Sequence, residues 1–200
     1  QIIGSGAARS DIDGDGRPDP LLCYYIQHVN SPYPSRDELL DQVPALKTKF
    51  PHYADYADAG PEDILGTEGL HRATTFDVEE MRNCLLYLSG GRFILEPLPV
   101  AAQFSAVYGV VAADFDGDGI QDLLLGGNYF PFRPQLGRED AGKGLLLKGN
   151  RNNGYQPLFY DRTGLMLDGD VRGILPVNMG NGQQWMIIAQ NNDSIRVVRT

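Results

Sequence analysis

The chain has 200 residues, 42% of them hydrophobic, with 24 glycines, 13 prolines and a formal net charge of −9. This composition supports a folded core and favours an all-β architecture of short strands over a helical bundle. The acidic balance argues against nucleic-acid binding, and no apolar run is long enough to cross a bilayer as a helix.

An acidic loop follows the first predicted strand, residues 2–8. It carries aspartates at its first, third, fifth and ninth positions and a glycine at its sixth, where the chain must turn: Asp11, Asp13, Asp15, Gly16 and Asp19. Calcium takes about six to eight oxygen ligands, which suits this pattern. An EF-hand would need Glu at position twelve, but Leu22 stands there, and Pro18 discourages a helix. The sequence therefore predicts a calcium loop that leads into a strand.

The stretch from residue 31 to residue 82 is longer than a small β repeat requires. Ser35 and Glu38 form the pattern of a capping box at the start of a helix, and Pro44 would break or restart that helix. Further short helices are indicated by a proline at a first helical position and a threonine cap, at Pro61 and Thr67. We expect strands to resume at residues 83–97, so that residues 31–82 are a helical insertion.

The acidic pattern recurs in the middle of the chain, after a predicted strand at residues 107–113. The same positions are occupied by Asp114, Asp116, Asp118, Gly119 and Asp122, and the carbonyl oxygen of Ile120 would supply the seventh-position ligand. Position twelve is Leu125, inside an apolar run that predicts a buried strand. Two copies make a chance match unlikely, although a pair of metal-free Asp/Gly turns is the alternative.

Further strands are predicted at residues 144–147 and 155–159, which makes four strands in this repeat. Four strands per repeat describe a propeller blade. A third, degenerate copy begins near residue 169, with strands at residues 185–189 and 194–198. Because only Asp168 and Asp170 remain of the acidic pattern there, we interpret them as turn residues.

The sequence has no catalytic signature, and we do not expect an enzyme. The three histidines lack a zinc-protease spacing, and no nucleophile elbow is present. Cys23 and Cys84 are too few for a disulfide scaffold, so we favour two free thiols over a bridge between neighbouring strands.

Two groups of residues are candidates for ligand contact. The tyrosines of the insertion, Tyr33, Tyr53 and Tyr56, could stack on a sugar ring or anchor a protein, although packing of the insertion is the favoured alternative. Arg133 and Arg138, in the long loop after residue 132, could contact a partner or simply be solvated.

The two acidic loops resemble those of the FG-GAP and VCBS repeats, whose best-known fold is the calcium-bearing β-propeller of integrin alpha subunits. The resemblance implies ligand roles for Asp11, Asp13, Asp15, Asp19, Asp114, Asp116, Asp118 and Asp122, together with the main-chain oxygens of Arg17 and Ile120. The wider chain is similar to the C-terminal part of large exported VCBS-repeat proteins of Gram-negative bacteria. This likeness implies a location in the periplasm, on the outer cell surface or outside the cell.

We therefore predict a mainly β, single-domain partial propeller of about three consecutive four-stranded antiparallel blades, with a helical insertion in the first. The blades would span residues 1–100, 105–162 and 168–200. The expected function is that of an interaction module with two calcium ions, which binds a protein or glycan through its loops and insertion. Its exposed blade is expected to pack against upstream blades of a parent protein or against a second copy of the chain. The alternative is the non-catalytic C-terminal portion of a secreted polysaccharide-acting enzyme.

Overall fold

The structure, a computed structural model, describes residues 4–10, 19–26, 29–77, 80–132, 137–151, 154–180 and 184–199. The chain divides into two compact units, residues 1–81 and 82–200. Both contain antiparallel sheets, which confirms the mainly β prediction. Among the described residues, no helix combines the length and the apolar character needed to cross a membrane.

The first unit contains a four-stranded antiparallel sheet. Its strands are β1 (Gly4–Ser10), β2 (Asp19–Ile26), β3 (Val29–Pro32) and β4 (Thr74–Asp77), in the order β3-β2-β1-β4. β1 pairs with β2 from Gly4 opposite Tyr25 to Ser10 opposite Asp19. The chain between these two paired strands is the first predicted calcium loop, and its residues 11–18 lie outside the described residues.

Helices occupy most of the chain between β3 and β4, as predicted. They are α1 (Arg36–Gln42), a 3-10 helix (Pro44–Thr48), α2 (Tyr53–Ala57) and α3 (Pro61–Arg72). The predicted capping box is present, because the Glu38 carboxylate accepts from the Ser35 main-chain N–H at 2.8 Å and Ser35 Oγ accepts from the Glu38 N–H. The helices bury a core of their own, formed by Leu39, Leu40, Val43, Leu46, Phe50, Ala59 and Ile64.

The end of the insertion differs from the prediction. We expected residues 83–97 to complete the first sheet, but they form a separate antiparallel pair in the second unit, β5 (Cys84–Ser89) and β6 (Arg92–Pro97). The two edges of the first sheet are taken by β3, which pairs with β2, and by β4, which pairs with β1. The insertion therefore ends before residue 74, where β4 begins.

The second unit contains two further sheets. The first is a four-stranded antiparallel meander of β7 (Val107–Ala113), β8 (Asp122–Gly127), β9 (Leu145–Gly149) and β10 (Tyr155–Leu158). The second has three strands, β11 (Val171–Asn178), β12 (Gln184–Gln190) and β13 (Arg196–Arg199). Among the described residues of this unit, the remaining regular elements are a 3-10 helix (Val100–Gln103) and α4 (Tyr160–Thr163). The strands predicted for the second and third repeats are present, but the third sheet has three described strands, so the four strands expected of a blade at residues 168–200 are not found among the described residues.

β8 is buried on both faces, as its continuous apolar sequence predicts. One face of the meander buries a cluster of Ala102, Leu123, Leu125, Leu145 and Leu147. On the other face Leu124 packs with Met186 of β12, and Ile174 of β11 joins the same cluster. The two sheets therefore pack face to face. Gly109 permits their close approach, since a Cβ there would lie 2.7 Å from Ile174 Cγ1.

Candidate metal centre

The second acidic loop joins β7 to β8, as predicted. It turns at Gly117 and Gly119, whose φ angles are +77° and +82°. L-residues with a side chain avoid this left-handed region, so the backbone conformation itself favours glycine. The turn expected at the sixth loop position, Gly119, is confirmed.

Asp114 shapes the loop through hydrogen bonds to its backbone. One carboxylate oxygen accepts from the N–H groups of Gly117 at 2.8 Å and Asp118 at 3.1 Å, and the other accepts from Gly119 at 2.9 Å. These bonds wrap the chain around the first aspartate. The loop is therefore organised around its own first carboxylate.

Asp122 connects the loop to the sheet. Its side chain is buried, with 1% of the residue exposed. One oxygen accepts from the Phe115 N–H at 3.1 Å, and the other accepts from the Gly149 N–H at 2.8 Å, at the end of β9. This buried carboxylate thus ties together both ends of the loop and the neighbouring strand.

Three of the four predicted aspartates converge. Asp114, Asp116 and Asp122 each offer a carboxylate oxygen, and these oxygens lie within 4.8 Å of one another. Calcium–oxygen distances are about 2.3–2.6 Å, so one ion could contact all three groups. The residues present therefore fit a calcium ion. Asp118 is not a member of this cluster, and its carboxylate accepts from the Ile120 N–H at 2.9 Å. The ligand roles of Asp118 and the Ile120 carbonyl stay predictions.

Lys148, on β9, is a member of the site that the sequence analysis missed. Its ammonium contacts the Asp116 carboxylate and lies 3.2 Å from Asp118 Oδ2. The hydrogen bond from Lys148 lowers the pKa of Asp116, and the same bond raises the pKa of Lys148. The signal available in the sequence was a single charged residue in the apolar strand Leu145–Gly149, which does not reveal what lies beside it.

The structure separates the predicted contact residues of the insertion. Tyr53 is 67% exposed, donates its hydroxyl to Asp37 at 2.6 Å and has the Arg36 guanidinium 5.0 Å from its ring centre. Tyr56 is half-buried and meets the Phe50 ring edge-on at 5.5 Å. Tyr56 therefore contributes to packing, whereas the Tyr53 ring is exposed to solvent. Tyr33 is also half-buried.

Other predicted residues fall outside the metal loop. Arg138 is exposed, with its guanidinium 5.0 Å from the Phe130 ring centre. Cys84 carries a free thiol. The predicted site residues that lie outside the described residues are Asp11, Asp13, Asp15, Arg17 and Arg133, and Asp19 begins β2.

Asp170, from the degenerate third copy, has a structural role. It is buried, forms an ion pair with Arg172 at 2.8 Å and accepts from the Asn191 amide at 3.0 Å. The Arg172 guanidinium also lies 4.3 Å from the ring centre of Tyr108. The sequence predicted Asp170 as a turn residue, and these contacts show a buried carboxylate that pairs with Arg172 and Asn191.

Comparison with curated proteins gave no match, and comparison with solved structures gave none. Comparison with protein families gave one match, to the FG-GAP repeat, over residues 106–147. The matched stretch contains β7, the acidic loop and β8, and it ends in β9 beside Lys148. Residues 106–147 of this chain are therefore an FG-GAP repeat.

Proposed function

We propose that the loop of residues 114–122 binds a calcium ion, and that the chain is a calcium-stabilised interaction module of an exported or cell-surface protein. The observation that carries the calcium proposal is the convergence of Asp114, Asp116 and Asp122 within 4.8 Å. The placement of this cluster inside an FG-GAP repeat supports it. We propose a second ion for the loop at residues 11–19, on its matching sequence.

Calcium suits this loop better than magnesium does. Magnesium requires a small octahedral shell and usually keeps several waters, whereas calcium accepts many protein oxygens at longer distances. The three converging carboxylates already supply several oxygens in one place. Loops with affinities in the millimolar range would be filled outside the cell, which is the basis for proposing an exported location.

We also propose that the sheets are consecutive blades of a partial propeller. The meander of β7 to β10 has the strand order of a blade, and it packs face to face with the sheet of β11 to β13. The sheet of β1 to β4 would be a further blade. Exposed strand edges at either end would then be covered by upstream blades or by a second copy.

The surface proposed for a protein or glycan partner is the insertion, around Tyr53. An exposed tyrosine beside an arginine and an aspartate offers a stacking face and charged hydrogen-bonding groups. A glycan array tests the glycan form of this proposal: Tyr53→Ala should bind less than wild type. Equal binding by the two proteins would place the glycan elsewhere.

Titration calorimetry on metal-stripped protein tests the calcium proposal. Wild type should bind two calcium ions, and Asp116→Ala should bind one, because the substitution removes a ligand from the second loop alone. Magnesium should bind with much lower affinity than calcium. A wild-type protein that binds no calcium, or an Asp116→Ala variant that binds as many ions as wild type, would contradict it.

A further inference from the structure

Lys148 places a positive charge where the proposed calcium ion needs negative ones. Its ammonium contacts Asp116, one of the three converging carboxylates, and lies 3.2 Å from Asp118. The side chains of Lys148, Asp116 and Asp118 are 35%, 40% and 33% exposed, so water screens these contacts only in part. The Lys148 ammonium therefore binds carboxylates that are also proposed to bind the calcium ion.

The fold fixes the lysine in this place. β9 pairs with β8, with Leu147 opposite Leu123, so Lys148 follows at the end of the sheet where the acidic loop enters β8. The neighbouring Leu147 is fully buried, and the next residue, Gly149, donates its N–H to Asp122. The backbone on both sides of Lys148 is therefore anchored, which keeps the side chain within reach of the loop and leaves its ammonium free to move.

We infer that Lys148 is a built-in competitor of calcium: its ammonium is bound by the loop carboxylates when calcium is absent and is displaced when calcium binds. This inference rests on the proposed calcium function and concerns how that site is regulated. The lysine then sets the calcium concentration at which the loop fills, because each ion that binds must first break the contact with the ammonium.

Two opposite effects follow from this competition. Without calcium, the ammonium offsets the repulsion among the crowded carboxylates and stabilises the empty loop. With calcium, the same charge lies close to a divalent cation and opposes it. A lysine that served packing alone would leave calcium affinity unchanged, so the two roles can be separated by experiment.

The test compares two lysine variants in a protein whose first loop is disabled by Asp13→Ala, so that calorimetry reports the loop of residues 114–122. Lys148→Met removes the charge and keeps a long apolar stem. Lys143→Met is the matched control, since it removes the same charge from an exposed residue beyond the opposite end of β9.

We expect Lys148→Met to bind calcium about tenfold more tightly than its Asp13→Ala parent, which corresponds to about 1.4 kcal/mol. Lys143→Met should stay within about twofold, because its charge is distant and screened. In chelator, Lys148→Met should melt at a lower temperature than Lys143→Met. Lys148→Gln provides the same comparison if the methionine variant fails to fold.

The outcomes distinguish this inference from the calcium proposal. Calcium binding with equal or weaker affinity after Lys148→Met, or an equal gain in Lys143→Met, overturns the competitor role and leaves the calcium site in place. Calcium binding that is measurable only after Lys148→Met supports the competitor role of Lys148. If neither the parent nor the variants bind calcium at millimolar concentration, the calcium proposal itself fails and the inference fails with it.

Discussion

Asp122 and Asp116 contribute to the same loop in different ways. Asp122 is buried and accepts hydrogen bonds from Phe115 and Gly149, so it supports the fold whether or not a metal is bound. Asp116 is exposed, and its contact with Lys148 is partly solvated. The two carboxylates should therefore respond differently to substitution when calcium is absent.

In chelator, Asp122→Ala should lower the free energy of unfolding by about 2 kcal/mol, because two N–H groups at a buried position lose their acceptor. Asp122→Asn keeps an acceptor oxygen and should lose less. Asp116→Ala should cost much less than Asp122→Ala, as expected for an exposed ion pair. Urea unfolding measures all three variants. Equal losses for Asp122→Ala and Asp116→Ala would show that Asp122 does not anchor the loop.

At the scale of elements, the helical insertion has a core separate from the metal loop. Its buried residues lie between Leu39 and Ile64, in the first unit. The described hydrogen bonds and ion pairs of the loop carboxylates come from residues 115–149, in the second unit. The insertion and the loop of residues 114–122 should therefore be independent of each other.

Replacing residues 34–73 by a flexible linker should leave calcium binding at the second loop unchanged within about twofold. β3 and β4 are at opposite edges of their sheet, three strand spacings or about 14 Å apart, so about eight Gly/Ser residues are needed. A deletion of residues 31–82 also removes β4 and should destabilise the first unit. Calorimetry would contradict this account if the linker variant lost the second site.

Local signals in the sequence were sufficient for several of these elements. The spacing of Asp114 to Asp122 predicted the acidic loop, and the apolar run after it predicted the buried strand β8. The capping box at Ser35 predicted α1. β4 was missed because its four residues are too few to show the alternation of apolar and polar side chains that marks a strand. Its partner, β1, is also far away in the sequence. Lys148 was missed for a similar reason, since only the pairing of β8 with β9 brings it to the loop.

At the scale of the whole molecule, metal binding should be linked to folding. A ligand that binds only the native state stabilises it by about 2.7 kcal/mol at a hundredfold excess over its dissociation constant. The described carboxylate cluster lies entirely in the unit of residues 82–200. That unit should gain stability from calcium at the second loop.

Chelation should lower the melting temperature of this unit by about 10 °C relative to excess calcium. Asp116→Ala should show a much smaller shift, because it lacks a ligand in the second loop. Differential scanning calorimetry in chelator and in calcium measures both shifts. Identical melting curves for the wild-type protein under the two conditions would show that the loop is an ordinary turn.

The most direct measurement of the central claim is a crystal structure of the protein grown in millimolar calcium, with anomalous diffraction to locate the metal. We expect an anomalous peak about 2.3–2.6 Å from carboxylate oxygens of Asp114, Asp116 and Asp122, with the Lys148 ammonium moved away from Asp116. An ordered loop of residues 114–122 without any metal at that concentration would contradict the account.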